Sequence, residues 1–310
     1  MAHPRLIRLA AQRKATKGRR GLMRKAPSIL ESRALEKRYR AMLVAYVDAL
    51  SGHVNDTIIE ALPRLVDESN AARGMRADTW VDDLAPLIDA ATVFGRRRAQ
   101  QVIQELQDIN DRAADWNRKQ FNKVLRSVIG VDIFSGSDGE ALRIVAQSWA
   151  RENAALITDV TEKTMTEVEG IAQRAVRTGQ SPRDIAKDIK ERFGIAENRA
   201  KLIARDQVAK LNGQLTQSRN EALGIQFYVW DTSDDERVRE SHRALNGKLC
   251  RWDDDTVYSE DGGKTWKSRA AIGGYIGHPG SDYQCRCISS PDLSGLLAEI
   301  GVDTEGFSLK

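Results

Sequence analysis

Cysteine is scarce in this chain, with three thiols in 310 residues: Cys250, Cys285 and Cys287. An odd number cannot close a disulfide framework, and a Cys285–Cys287 bridge would close a ring too tight for ordinary disulfide geometry. Reduced thiols in a protein made in the cytoplasm are the simpler expectation. Proline (7) and aromatic residues (6%) are also sparse, whereas charged residues reach 30%. That balance suits a folded, strongly helical protein. No apolar run approaches the roughly 20 residues that span a bilayer, so no membrane anchor is expected. The N-terminus lacks the apolar centre of a secretory signal, although its arginines superficially resemble a transit peptide. A phosphate-cradling glycine loop, a Ser-His-Asp arrangement and a paired-carboxylate magnesium motif are all missing, which weighs against an enzyme.

Acid is missing from one end. Residues 1–30 carry nine cations (Arg5, Arg8, Arg13, Lys14, Lys17, Arg19, Arg20, Arg24 and Lys25) and no Asp or Glu. Residues 227–310 hold ten basic and fifteen acidic side chains, which leaves the middle neutral within an overall charge of +4. The expected layout is a basic arm, a neutral helical body and an acidic C-terminal module. The arm has too few apolar positions to offset its ordering entropy, so it is expected to be disordered until bound. It reads either as a solubilising tail or as a contact for an acidic protein surface or for nucleic-acid phosphates, whose neutralisation releases counterions.

The body shows helical periodicity. Tyr39, Leu43, Tyr46, Leu50, Val54 and Ile58 recur every three or four residues until Pro63. A second stripe runs through Val93, Ala99, Val102, Ile103, Leu106 and Ile109 and continues through Trp116, Phe121, Leu125 and Val128. "FSGSDGE" marks a loop. A third helix places Leu142, Val145, Trp149, Leu156, Val160, Val168 and Ile171 inside. In "TGQSPRDIAKDI", Gly179 suits a helix end, Ser181 an N-cap and Pro182 a first helical position. A short helix is expected from Pro182 to Phe193, and another from about Glu197 to Leu223.

The period then changes. "IQFYVWD" is rich in aromatic and β-branched residues and alternates, which predicts a strand. "SEDGGKTW" fits the Ser-x-Asp-x-Gly-x-x-Trp pattern of the Asp-box and predicts a β-hairpin.

Chemistry concentrates between and after these elements. Asp235, Arg239 and His242 would share one face of a helix. His242, Cys250, His278, Cys285 and Cys287 are all the Cys and His residues beyond position 53, gathered within 46 residues. Thiolate and imidazole in that number satisfy the tetrahedral preference of zinc, although Cys-x-Cys is a weaker signal than paired Cys-x-x-Cys knuckles. Three readings stand: one structural zinc, a metal-free thiol core, or a catalytic metal in a hydrolase or nuclease.

The run "IARDQ", "LGIQFYVWDTSDDERVRESHRALNG" and "HPGSDYQCRC" resembles the phage Mu F-like minor head protein, or phage head morphogenesis, family. The resemblance covers roughly residues 140–291. Its motif falls on Ala204, Arg205, Gly224, Ile225, Trp230, Asp235, Arg237, Arg239, His242, Gly247, Pro279, Cys285, Arg286 and Cys287. One departure is plain: Asp206 and Gln207 stand where the family commonly has Thr-Glu.

The resemblance implies a non-enzymatic minor capsid protein in the virion interior. Portal and other prohead proteins would be its partners, with packaged DNA meeting the basic arm. It implies roles in head assembly and in DNA packaging or delivery. The expected architecture is mainly α, with long helices and a small α+β C-terminal module. Its segments are a disordered arm (1–30), a helical domain (31–134), the helical part of the head-morphogenesis domain (137–226), a Cys/His-containing α+β module (227–300) and a tail (301–310). The cysteine pair is expected to pin the returning chain against the His242 helix, with or without zinc.

Overall fold

Long helices dominate the computed structural model, which describes residues 26–71, 79–129, 132–134 and 139–294. In chain order they are α1 (Arg33–Val54), α2 (Leu62–Ala71), α3 (Thr79–Gln104), α4 (Leu106–Ile129), α5 (Glu140–Thr178) and α6 (Pro182–Ala222), with a π-helical turn at Asn55–Ile59. Five short strands follow: β1 (Phe227–Asp231), β2 (Leu249–Arg251), β3 (Val257–Tyr258), β4 (Lys267–Ser268) and β5 (Ile288–Pro291). A one-turn helix, α7 (Glu240–Arg243), and a 3-10 turn (Arg269–Ile272) lie among them. The expected class, mainly α with a small strand-bearing C-terminal module, is what the chain adopts.

The fold forms two compact units. Among the described residues, one takes in those up to Arg33, Asn110–Ser148 and those from Asp206 onward; the other is Ala34–Ile109 with Trp149–Arg205. Each therefore draws on segments that are distant in sequence.

In the second of these units the predicted α1 stripe is buried throughout, from Tyr39 to Val54, with Ile58 in the π turn. Its polar edges meet α5: the Tyr39 hydroxyl donates to Asn153 Oδ1 at 2.7 Å, and the Asn153 amide donates to the Trp149 carbonyl at 2.8 Å. The exposed Arg96–Glu162 ion pair, at 2.7 Å, contributes little, and a half-buried pair joins Arg199 to Asp159 at 2.6 Å.

Three expectations shift. The two helices expected between Pro182 and Leu223 are one, because Ile185, Ile189, Phe193, Ala196, Ala200 and Ala204 stay buried at helical spacing across Gly194. A helical glycine costs about 1 kcal/mol against alanine, too little to break so long a packed stripe. On α5, Ile157 rather than Leu156 is buried, and Val145 is half-buried. Val93 is exposed, since Ala91 takes the inward position two residues earlier. The start of α6 follows the sequence: the Asp184 N–H donates to Ser181 Oγ at 3.2 Å, and that hydroxyl donates back to the Asp184 carboxylate at 2.7 Å.

In the other unit, Ala26 and Ile29 pack with Phe121, Leu125, Ile133, Ile225 and Leu293. Two of the last residues of the expected arm, Ala26 and Ile29, are thus part of a core. A buried polar ladder links α4 to α6: Arg219 Nε donates to Asn117 Oδ1 at 2.9 Å, and the Asn117 amide donates to Asn212 Oδ1 at 3.0 Å and Thr216 Oγ1 at 2.8 Å. Gly224 ends α6 at φ +71°, a left-handed position that favours glycine. The Ile225 N–H returns to the Asn220 carbonyl at 2.9 Å.

β1 then becomes the middle strand of an antiparallel sheet ordered β2-β1-β5. Tyr228 faces Cys250 and Trp230 faces Ser289. Tyr228, Val229 and Trp230 are all buried, so both faces of the strand are covered. The predicted hairpin also forms, β3 pairing with β4. Asp261 ties its loop by accepting the Thr265 N–H at 2.9 Å and the Ser259 hydroxyl at 2.7 Å. No helix among the described residues is long and apolar enough to cross a membrane.

Candidate metal centre

The segment after β1 does not form the expected helix from Asp235 to His242. The Asp235 carboxylate accepts the Arg237 N–H at 3.0 Å, a local turn that competes with helical pairing, and only Glu240–Arg243 is helical. Asp235, Arg239 and His242 therefore do not share a helix face. They converge instead on the Asp282–Cys287 segment. Asp235 forms a two-pronged ion pair with the Arg286 guanidinium, which lowers its carboxyl to about 2. Arg239 donates to Asp282 Oδ2 at 3.0 Å and to the Tyr283 carbonyl at 2.7 Å. Arg237 has an exposed side chain. The Gly247 N–H donates to the Trp230 carbonyl at 2.8 Å and closes the turn into β2.

His242 is 2% exposed and lies between the edge of Trp230, centroids 5.6 Å apart, and the ring of Tyr275 at 4.7 Å. Its two nitrogens have different neighbours. Nε2 lies 3.0 Å from Asp282 Oδ2, an acceptor, so Nε2 carries the proton. Nδ1 then presents its lone pair to two sulfurs, Cys287 Sγ at 3.3 Å and Cys285 Sγ at 3.5 Å. Burial disfavours the imidazolium, but the contacts with Cys285 and Asp282 outweigh it and raise the His242 pKa. The hydrogen bond between the two thiols, with His242 assisting, pulls Cys285 down, and the same bond pushes Cys287 up.

The loop is held from three sides. β5 pairs with β1 directly after Cys287. Asp206 on α6 accepts the Gln284 N–H at 2.6 Å, with Gln284 at φ +54°. Gly213 lets α6 approach the Pro279 carbonyl so closely that a Cβ would sit 2.8 Å from that oxygen.

Of the five candidate ligands, the fold joins His242, Cys285 and Cys287, whose ligating atoms all lie within 4.8 Å of one another. Cys250 and His278 are elsewhere in the module. Cys250 is fully buried, with its thiol 3.8 Å from the Lys248 carbonyl and its pKa pushed up to about 11 by burial. His278 Nδ1 lies 3.0 Å from the Tyr228 hydroxyl, and burial lowers its pKa. The nine cations from Arg5 to Lys25 lie outside the described residues. Sequence reasoning missed Asp282, Asp206 and Arg269. Asp282 stands in the quoted "SDYQCRC" run, but nothing in its spacing ties it to a histidine 40 residues earlier.

Comparison with known families adds the decisive point, since the family described as "Phage Mu protein F like protein" matches residues 166–290. Over those residues the chain is similar to the Phage Mu protein F like family. This Mu F-like segment begins within α5 and ends in β5, so it contains α6, the whole His/Cys cluster, Asp206 and Asp282. A Haemophilus influenzae protein, described as an uncharacterized protein, is 35% identical over 141 residues, 46% of this chain. The chain spans 28% of that relative's length. No solved structure matches the chain.

Proposed function

We propose that this chain is a minor head protein of a tailed phage, associated with the portal and prohead interior and acting in head assembly and DNA packaging or delivery. The observation that carries this reading is the Mu F-like segment, whose motif residues are used to fasten one module rather than to line an open cleft. In this reading the helices outside the segment supply contact surface for neighbouring head proteins. The basic arm meets packaged DNA or an acidic protein surface, and nine cations without an acid support that role.

The test is genetic and compositional. Deleting the gene from the phage genome that carries it should give aberrant or DNA-poor heads. Mass spectrometry of wild-type particles should find the chain in the virion. DNA-filled, infectious heads made without it would overturn the proposal. For the arm, DNA binding by the full chain should weaken steeply with salt and be lost on deleting residues 1–25. Binding that survives the deletion would remove the arm from the mechanism.

A further inference from the structure

We propose that His242 Nδ1, Cys285 Sγ and Cys287 Sγ bind one zinc ion, with Asp282 orienting the histidine from behind and a single non-protein ligand completing the tetrahedron.

Three metal-ligating atoms, His242 Nδ1 and the two sulfurs, converge within 4.8 Å of one another. Neutral His242 has one lone pair at Nδ1, yet two thiols approach that nitrogen, at 3.3 and 3.5 Å. Only one S–H can donate to it. A metal ion at the point where the three donors converge uses the lone pair and both sulfurs at once. The spacing fits: zinc–sulfur and zinc–nitrogen bonds of roughly 2.3 and 2.0 Å at a tetrahedral angle set N and S about 3.5 Å apart.

The surroundings fit as well. The contact of His242 Nε2 with Asp282 at 3.0 Å is the outer carboxylate–histidine pair that fixes the tautomer of a ligating imidazole and raises its basicity. Arg239 steadies that carboxylate at 3.0 Å. Charge is balanced too. Zinc with two thiolates and a neutral imidazole is uncharged overall, so a site whose ligands are 2%, 4% and 7% exposed buries no net charge. The two thiol protons pass to solvent as the ion binds. Among the described residues, no other His, Cys, Asp or Glu joins the three, which is why the fourth ligand comes from outside the protein. The nearly complete burial leaves that position room for a water rather than a substrate.

The proposal narrows five candidate ligands to three and does not depend on the head-protein reading. The test uses the full chain produced in zinc-supplemented medium, with metal analysis and X-ray absorption at the zinc edge. About one zinc per chain is expected, with a shell of two sulfurs plus nitrogen or oxygen. Cys250→Ser and His278→Asn should retain that stoichiometry. Cys285→Ser and Cys287→Ser should lose the metal, and Asp282→Asn should weaken affinity about 10- to 100-fold. Because a cysteine variant can fail to fold, cobalt titration of the metal-stripped wild-type chain provides a second readout. A thiolate-to-cobalt charge-transfer band that zinc displaces supports the site. Lack of bound zinc together with lack of that band overturns it, as does a three-sulfur shell or metal loss on Cys250→Ser.

Discussion

Asp206, on α6, accepts the backbone N–H of Gln284 at 2.6 Å, one residue before Cys285. The carboxylate is 5% exposed, and its other oxygen meets Lys210 Nζ at 3.0 Å. A side chain on a helix thus sets the backbone of a loop 78 residues away in sequence, at a residue in the left-handed region that disfavours glutamine. Asp206 thus holds the backbone of the Cys-x-Cys loop.

Replacing that carboxylate tests the arrangement. Asp206→Leu should cost about 1–3 kcal/mol, the usual range when a buried partner is removed from a charge-assisted hydrogen bond. Asp206→Asn keeps an acceptor oxygen and should cost less. Denaturant unfolding followed by tryptophan fluorescence measures both. Equal losses for Leu and Asn would show that the carbonyl-type acceptor is not what matters.

Arg269 is fully buried and serves as the hub of the C-terminal module. Its guanidinium donates to the carbonyls of Val257 (2.9 Å), Tyr275 (3.3 Å) and Gly277 (2.7 Å) and to the Tyr228 hydroxyl (3.3 Å). It also lies over the Trp230 ring, 5.6 Å from the centroid. Arg269→Ala leaves several buried acceptors without a donor and should destabilise by about 3 kcal/mol or more. Arg269→Lys supplies a compact ammonium that cannot match the fork and should recover only part. A loss below about 1 kcal/mol for the alanine variant in urea unfolding would refute the hub role.

How legible this was in the sequence depended on the range of the interaction. Helices, the aromatic strand and the Asp-box hairpin were readable because periodicity, the Ser181 cap and the Asp261 loop act within a few residues. The one error of continuity, the break expected between Phe193 and Glu197, is overridden by the burial that runs unbroken along α6. Within the site, the cysteine pair and His242 were visible by residue type. Asp282, Asp206 and Arg269 were not, since each acts across long sequence separation through contacts that no period encodes. Asp235 shows the reverse failure: helical spacing suggested partnership with Arg239, while a local turn sent it to Arg286.

Two glycines of α6 should respond to alanine with opposite signs. At Gly213 a methyl group would stand 2.8 Å from the Pro279 carbonyl oxygen, a backbone atom that cannot swing aside. Gly213→Ala should therefore cost about 1–3 kcal/mol through overpacking. At Gly194 nothing lies within 4 Å of the added methyl, and the residue is inside the helix. Gly194→Ala should stabilise by about 1 kcal/mol through helix propensity. Thermal melts of the two variants side by side decide the point. A neutral Gly213→Ala would mean that α6 and the Pro279 turn separate at little cost.

The hairpin should weaken in acid. Glu260 bridges Lys248 and Lys267, the latter at 2.8 Å, and these ammonium groups lower its carboxyl to about 2. Asp261 is lowered as well, chiefly by the Thr265 hydroxyl, which donates to it at 2.6 Å. A depressed folded pKa means that the unfolded chain takes up protons first. The contribution of Glu260 is therefore complete above the ordinary carboxyl value of 4.5 and disappears as pH falls through about 2. Amide protection in β3 and β4, relative to the intrinsic exchange rate at each pH, should fall across that window, and salt should blunt the effect because the pair is exposed. Glu260→Gln should flatten the dependence down to the range where Asp261 titrates. A Glu260 carboxyl that titrates near 4.5 in the folded chain, read by carbon NMR, would show that the two lysines do not hold it.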